Sequence, residues 1–354
     1  MRRPSRRGRL LPLVGVALLG AAALGGRAPA AGPPDRLDRF RELAAALQAA
    51  APPDGGTPES YRELYALLDE EIVESLGTGG PFASAGFLQD RLDAFGEVWG
   101  AAALGVARTG RLVVGAFQWS DAPGANTIRV YGRLGAESAL LATLQREGRP
   151  TVYPVAPGPR GAAQFLAAWE GPPSGRGTRP LRLELARERR DGVSVVWRSA
   201  DAYREPLLVR SYAVGAGELR VRYELRYPGW TPGCELQAEA EDVWRLVPES
   251  GVFARAGGRQ YHAWHRELHA AAARLFEAVA AGDAAAVASL VPDAELRRRL
   301  PRTLRAEPAC DAVDDEASPR AVSVAARADR APWDLRWERA GARWRLTAAA
   351  PVLQ

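Results

Sequence analysis

Apolar side chains at every second position are the strongest constraint that this sequence places on its fold. Between residues 219 and 227 the sequence LRVRYELRY alternates apolar or aromatic residues with charged ones. Successive side chains of a strand point to opposite faces of a sheet, so this pattern predicts a strand with one buried and one solvated face. Similar short runs fill the middle of the chain. They favour antiparallel pairing, because strands of a parallel sheet are buried on both faces and are apolar throughout.

Turn residues between the apolar runs predict which strands pair. Asp191 and Gly192, for example, form a dipeptide that is typical of a tight hairpin. The stretch 137–146 is predicted as a helical interruption, and the Pro/Gly-rich stretches 154–161 and 172–180 as exposed loops. The predicted pairs are residues 181–185 with 193–197, residues 112–119 with 128–134, and residues 333–337 with 344–348.

Helical spacing of apolar residues is found on both sides of the strands. Three stretches before residue 98 have it, and Ser84 stands where it would cap the third predicted helix. A long helix is predicted over residues 260–281. Asp283 is expected to cap the helix that follows, and a short helix is predicted over residues 293–300.

Together these patterns predict the fold class α+β. The expected parts are an N-terminal helical segment, an antiparallel β sandwich or open barrel, and a C-terminal cone-like α+β domain. A chain of 354 residues is too long for one ordinary core, so more than one domain is expected. The predicted boundaries are 1–30 for a signal peptide, 31–97 for the helical segment, 98–257 for the antiparallel β domain and 258–354 for the cone-like domain.

The first residues have the three-part pattern of a secretory signal peptide. A basic start is followed by an apolar run over residues 10–24 and by the small-x-small site Ala28-Pro29-Ala30 before Ala31. The apolar run is short for a membrane span. We expect an exported protein, periplasmic or extracellular, with no membrane span after cleavage. Both the general and the twin-arginine export routes stay open.

The net charge of the chain comes from this leader. The sequence has 47 basic and 42 acidic residues, a formal charge of +5, and six of the arginines lie in the first 31 residues. Without those six, 41 basic residues face 42 acidic ones. A nucleic-acid binder needs a cationic surplus, so we expect no nucleic-acid partner. The chain contains no lysine, which excludes Schiff-base, pyridoxal and P-loop chemistry.

Two cysteines, Cys234 and Cys310, are predicted to form a disulfide, because an even number of cysteines in an exported chain is usually paired. A disulfide closing a loop of this length stabilises a fold by about 4 kcal/mol in the chain-entropy model. A catalytic thiol and a metal-binding pair are the alternatives. Neither a two-residue spacing nor a nearby histidine favours them.

The three histidines of the chain, His262, His265 and His269, lie within eight residues. His265 and His269 have the i, i+4 spacing by which one helix face offers two imidazoles to a metal, so a zinc or copper site is one hypothesis. Glu267 would point to the far side of the helix, where it cannot serve as a general base. The other interpretation is a partly exposed polar flank or a domain-contact edge.

Aromatic residues suggest a ligand contact at one turn. Tyr227 and Trp230 stand in an aromatic turn beside Cys234 and are candidates for ligand contact, whereas the strand tryptophans 197, 333, 337 and 344 are predicted as core. The carboxylates of residues 69, 70, 71 and 74 are predicted as a solvated helix face. No catalytic residue is assigned.

The C-terminal block resembles the nuclear transport factor 2-like superfamily, which includes SnoaL-like domains. The resemblance rests on the helix end at residues 279–284, on Val287 and Leu290 in the next helix, and on Trp344-Arg345-Leu346. It implies a cone with an apolar mouth that holds a small ligand or packs on a partner. No catalytic acid, base or oxyanion donor of the enzymatic members matches a residue of this chain.

The function expected from the sequence is that of a non-enzymatic binding or structural factor of the cell envelope. Its expected partner is an unknown small ligand or an envelope protein, and no cofactor is assigned. The alternative is a metal-dependent hydrolase that uses zinc or copper bound by His262, His265 and His269.

Overall fold

Helical and antiparallel blocks alternate along the chain. The computed structural model describes residues 35–50, 61–100, 102–121, 124–175, 177–227, 238–307 and 319–352. The mixture of helices and antiparallel sheets in these ranges confirms the predicted α+β class. Six α-helices lie in them: α1 (Arg36–Ala50), α2 (Arg62–Thr78), α3 (Ala85–Trp99), α4 (Ala263–Ala281), α5 (Ala284–Leu290) and α6 (Ala294–Arg299).

The strands of the same ranges form three antiparallel sheets. The first sheet has the order β1-β2-β3-β4, and the third has β13-β14-β15-β16. The second sheet has the order β12-β11-β10-β9-β7-β6-β5, with β8 also paired to β7. The strands are β1 (Ala103–Thr109), β2 (Leu112–Gln118), β3 (Asn126–Leu134), β4 (Glu137–Leu144), β5 (Arg149–Pro154), β6 (Gln164–Glu170), β7 (Arg179–Arg189), β8 (Gly192–Arg198), β9 (Leu207–Val214), β10 (Glu218–Glu224), β11 (Glu239–Leu246), β12 (Phe253–Tyr261), β13 (Arg305–Ala306), β14 (Ala321–Ala328), β15 (Ala331–Ala340) and β16 (Arg343–Pro351).

The first sheet is buried on both faces, which explains the almost continuous apolar sequence of β2. Val113 and Phe117 belong to a core shared with α1, α2 and α3. Leu112 and Val114 point the other way, because side chains alternate along a strand. They form a second core with β3, β6 and β7 residues, among them Trp169. The first sheet therefore lies between the N-terminal helices and the second sheet.

Ion pairs join the three N-terminal helices. The side chain of Glu71, on α2, is only 7 % exposed and accepts hydrogen bonds from Arg36 on α1 and Arg91 on α3. Asp69, on the same helix, binds Arg129 of the first sheet. The prediction of a solvated carboxylate face is therefore wrong for Asp69 and Glu71. Both side chains face neighbouring elements, where arginines bind them.

A core on the other face of the second sheet brings its distant strands together. Trp197 of β8 makes ring contacts with Trp244 of β11 at 5.5 Å and with Phe253 of β12 at 5.4 Å between centroids. Leu183 and Val221 belong to the same core. Burial of Trp197 confirms its predicted core position.

Residues 137–146 were predicted as helix, and this prediction is wrong. Residues Glu137–Leu144 form β4, which pairs with β3 from Leu134 opposite Glu137 onward. Alanine and leucine are strong helix formers, but helix propensities differ by less than about 1 kcal/mol per residue, and pairing with β3 outweighs that preference. Gly135, with φ of 66°, supplies the left-handed residue of the connecting turn.

The C-terminal block packs α4, α5 and α6 against the third sheet around one core, in which Trp337 and Trp344 are buried as predicted. Asp283 accepts hydrogen bonds from two backbone N–H groups at the start of α5, which confirms the predicted cap. The long helix begins at Ala263 and not at residue 260, because β12 continues to Tyr261. Among the helices of the described ranges, none is long and apolar enough to cross a membrane.

Candidate functional site

A cavity of about 690 Å³ opens at the end of the β6–β7 strand pair. Four short segments and one isolated residue supply its walls, so nothing in the linear sequence marks it as one site. Its volume lies in the range of small-molecule pockets, roughly 300–1,000 Å³. The lining consists of Asp121 and residues 146–148, 169–172, 180–182 and 205–207. We call it the strand-end cavity.

The loop between β4 and β5 forms one wall because Gly148 approaches β6 very closely. A Cβ atom at this position would lie 2.7 Å from the carbonyl oxygen of Glu170, and φ is 102°. Only glycine accommodates both constraints. Asn126 fixes the loop: its side-chain amide donates to the Gly148 carbonyl at 2.9 Å, and its Oδ1 accepts from the backbone of Trp119 at 3.1 Å.

Flat apolar side chains form the other walls of the strand-end cavity. Trp169 lies at the end of β6, directly opposite Arg182 of β7. Pro172, Pro180 and Pro206 also line the cavity. Rigid apolar surfaces of this kind bind the hydrocarbon part of a ligand with little loss of side-chain entropy.

Ion pairs surround these apolar walls. The hydrogen bond from Arg149 lowers the pKa of Asp121, and the hydrogen bond to Glu205 raises the pKa of Arg182. Glu147, by contrast, is exposed and forms no ion pair with any residue that the structure describes. The pairs are Arg149 with Asp121, Arg182 with Glu205, Arg179 with Glu170, and Arg146 with Glu184.

Behind the cavity wall, Glu184 is a buried carboxylate that is only half satisfied. Its side chain is 3 % exposed, and its Oε1 is 3.0 Å from Arg146 and 4.0 Å from Arg198. Its Oε2 and the indole N–H of Trp169 are both buried without a hydrogen-bond partner among the described residues. Each such atom costs about 1–3 kcal/mol, so atoms of this kind in a native fold call for an explanation.

Glu170 is held from two sides. Tyr212 donates to its Oε1 at 2.5 Å, Arg179 donates to its Oε2 at 2.6 Å, and Tyr153 lies 3.0 Å from the Tyr212 hydroxyl. Burial and the bond to Glu170 raise the pKa of Tyr212 far above its ordinary value. The phenol therefore stays a donor, and the Glu170 carboxylate is an engaged acceptor.

The structure separates the three histidines by environment. His262 precedes α4 with φ of 48°, in the left-handed region, whereas His265 is 1 % exposed and stacks on Trp264 at 3.6 Å between ring centroids. The rings of His265 and His269 are 6.3 Å apart. A partly exposed flank is therefore wrong for His265. Within the described ranges no group of three or more His, Cys, Asp or Glu side chains could hold a metal ion, and the metal hypothesis gains no support.

Of the predicted ligand-contact residues, only Tyr227 can be placed. It is half-buried, its ring lies 5.7 Å from that of His269, and it does not line the strand-end cavity. Trp230, Cys234 and Cys310 lie outside the described residues, as does the predicted signal peptide.

Sequence reasoning missed the residues of the cavity. The only available signal was the alternation of β7, in which Arg182 and Glu184 occupy the phase opposite Leu183. The side chains of Arg182 and Glu184 were expected to point into solvent, but their face of β7 lies towards the first sheet. In comparisons with known proteins, no family model, curated protein or solved structure matches the chain.

Proposed function

We propose that this chain is a non-enzymatic binding protein that takes a small amphipathic amine in the strand-end cavity. One observation carries the proposal: the cavity combines flat apolar walls with an exposed carboxylate, that of Glu147, which has no guanidinium partner among the described residues. Because the predicted leader would export the chain, we propose that it binds its ligand in the periplasm or the extracellular space, as a factor of the cell envelope.

The state of the carboxylates favours binding over catalysis. A general base or nucleophile must be free to accept a proton or attack a substrate. Asp121, Glu170 and Glu205 are each held by an arginine. They are suited to hold a ligand in a fixed electrostatic environment.

The charge balance favours a cationic ligand. Each arginine at the cavity already has a carboxylate partner, whereas Glu147 has none within the described part of the chain. An ammonium group can therefore pair with Glu147 while the hydrocarbon part lies on the proline surfaces. Trp169 is only 1 % exposed, so the exposed apolar contact comes from the prolines.

Finer features of the fold belong to the same proposal. We propose that the first two sheets form a β sandwich, which is supported by the core that Leu112 and Val114 share with β6 and β7. We also propose a cone-like, SnoaL-like fold for the C-terminal block. The order of its elements, helices α4–α6 before an antiparallel sheet, supports this fold. In that case the apolar mouth of the cone holds a small ligand or packs on a partner, as the resemblance implies.

A charge series of one aromatic probe tests the ligand class. We expect 2-phenylethylamine to bind more tightly than 2-phenylethanol, and 3-phenylpropionate to bind most weakly, in calorimetric titrations of the purified protein. Glu147→Gln should weaken binding of the amine by about twofold to fivefold, as expected for one exposed charge pair at low salt, and leave the alcohol unchanged.

Glu137→Gln is the matched control, because Glu137 is an exposed carboxylate on β4 with no ion pair to a described residue and no place in the cavity lining. It should bind the amine like the unmodified protein. Tighter binding of the propionate, or equal weakening by both substitutions, would contradict the proposal.

A further inference from the structure

A second basin, rich in arginine, lies at the other end of the same strand pair. It has a volume of about 480 Å³ and adjoins the start of β6 and the end of β7. The strand-end cavity adjoins the opposite ends of these two strands. We call this second site the arginine basin; its charged lining residues are Arg111, Arg160, Glu188, Arg189 and Arg190.

Three separate turns bring these side chains together. Arg111 lies in the turn between β1 and β2, Arg160 in the loop before β6, and Arg190 in the turn between β7 and β8. Thr109 donates to the Gln164 carbonyl at 2.8 Å, which fixes the first turn on β6. Two of these turns join paired strands and the third leads into β6, so the fold itself brings the three together.

Most of the positive charge in the basin is not neutralised. Arg111 pairs with Glu188 at 2.6 Å, and Arg189 donates to the hydroxyl of Ser194 at 2.9 Å. Arg160 and Arg190 are exposed and form no ion pair with any residue in the described ranges. Two guanidinium groups on different turns are therefore available to a ligand.

A further arginine lies buried beneath the arginine basin. Arg187 is 6 % exposed and donates to Gln164 Oε1 at 2.9 Å and to the carbonyls of Ser250 and Gly251 at 2.9 and 2.7 Å. No described carboxylate pairs with it. Burial, with a smaller effect of Arg189, lowers its pKa. A buried guanidinium held only by neutral acceptors has no carboxylate to neutralise its charge, so it adds positive potential near the basin.

The backbone at Arg160 is a second unusual feature. Its φ is 60° and its ψ is 24°, in the left-handed region that side chains other than those of Gly, Asn and Asp rarely adopt. Glycine would avoid this conformational cost, but it would also remove the guanidinium from the basin. Strained residues of this kind are concentrated at binding and catalytic sites.

We propose that the arginine basin binds a small multivalent oxyanion, a phosphate-type or sulfate-type group, between Arg160 and Arg190. The planar guanidinium donates two parallel hydrogen bonds to such groups, which makes arginine well suited to their recognition. The anion supplies the negative charge that Glu188 alone does not. This site is independent of the strand-end cavity and of its ligand.

Calorimetric titration with sodium tripolyphosphate at low ionic strength tests the proposal on the full chain. We expect one binding site per chain, weakened by added salt, since salt screens exposed charges. The double substitution Arg160→Ala with Arg190→Ala should weaken binding at least about tenfold, because two charge-assisted contacts are lost. Both side chains are exposed and form no ion pair with a described residue, so the variant should remain folded, and its thermal midpoint verifies this.

The control carries the same change of charge at another site. Arg343 and Arg345, on β16, are exposed and form no ion pair within the described part of the chain. Replacing both by alanine should change tripolyphosphate binding by less than about twofold, because distant surface charges contribute little. Equal weakening by both double substitutions would overturn the proposal, since it would show a general effect of net charge.

Two further probes separate a small oxyanion from a surface. Vesicles of phosphatidylglycerol and phosphatidylcholine test for a membrane, and heparin tests for a long polyanion. Binding of either probe that depends on Arg160 and Arg190, without binding of tripolyphosphate, would overturn the proposal. We expect the protein to bind tripolyphosphate in a way that depends on both arginines, and not to bind the vesicles.

Discussion

Arg91 of α3 donates a hydrogen bond of 2.6 Å to the buried carboxylate of Glu71 on α2. The other oxygen of the same carboxylate accepts from Arg36 of α1 at 2.5 Å. One buried acid thus joins all three N-terminal helices. Because a buried charge is stable only while it is paired, the position of these helices on the first sheet depends on this carboxylate.

We expect Glu71→Gln to lower the free energy of unfolding by about 1–3 kcal/mol, because the amide keeps the shape of the side chain but leaves two arginines without their shared charge. Glu74→Gln is the matched control. Glu74 also binds Arg36, yet it is exposed, so its loss should cost less than about 1 kcal/mol. Urea unfolding of both variants measures the difference, and equal effects would contradict the role given to burial.

The same carboxylate predicts a dependence on pH. Burial raises the pKa of Glu71, but the hydrogen bonds from Arg91 and Arg36 outweigh burial and hold it below its usual value. Its stabilising contribution is therefore complete above the unfolded-state pKa of about 4.3 and is lost as the pH falls through the lower folded-state value. The stability difference between the unmodified protein and Glu71→Gln should shrink in acid. A difference that grows below pH 4 would refute this assignment.

Arg160→Gly should raise the free energy of unfolding by about 0.5–1 kcal/mol, because glycine adopts the left-handed conformation without steric cost. Arg190→Gly removes the same charge outside that conformation, and its extra unfolded-state entropy should lower stability by about 0.5–1 kcal/mol. Thermal unfolding of the two variants measures this opposite sign. Destabilisation by Arg160→Gly as large as that by Arg190→Gly would contradict strain at residue 160.

The predicted leader has a direct test. Intact-mass measurement of the protein recovered from outside the cytoplasm of a bacterial host should give a chain that begins at Ala31. Replacing Ala28 and Ala30 by bulky residues should block cleavage, because the signal-peptide site requires small side chains. A full-length mass in the exported fraction would contradict cleavage at this site.

The disulfide predicted between Cys234 and Cys310 is tested by thiol titration under denaturing conditions. The exported protein should contain no reactive thiol before reduction and two after it. Reduction should also lower the thermal midpoint, because the unfolded chain gains the entropy of an open loop. Two reactive thiols in the unreduced protein would disprove the disulfide.

Local sequence patterns predicted the secondary structure well wherever a residue's conformation depends on its neighbours in the sequence. The hairpin between β7 and β8 is confirmed, with its turn at residues 190–191, one residue earlier than predicted, and the cap at Asp283 is confirmed, because turns and caps depend on a few adjacent residues. Strand β4 was mistaken for a helix because its partner, β3, contributes more to its conformation than its own composition does.

The two candidate sites could not be predicted, for a related reason. Arg160 and Arg190 are thirty residues apart in sequence, and Trp169 and Glu205 are further apart still. Antiparallel pairing across several strands brings them together, and no spacing in the sequence records that pairing. In a chain whose basic residues are all arginine apart from histidine, a cluster of arginines does not stand out by composition.

Strands β6 and β7 have opposite electrostatic environments at their two ends. The strand-end cavity is lined by four carboxylates and two guanidiniums, and the arginine basin by four guanidiniums and one carboxylate. The side chains around the two ends of this strand pair therefore differ in the sign of their net charge. At physiological ionic strength the field extends about 8 Å from the surface. Within that range the field favours cations at one end of the strand pair and anions at the other, so the proposed amine and the proposed oxyanion would not compete for one site.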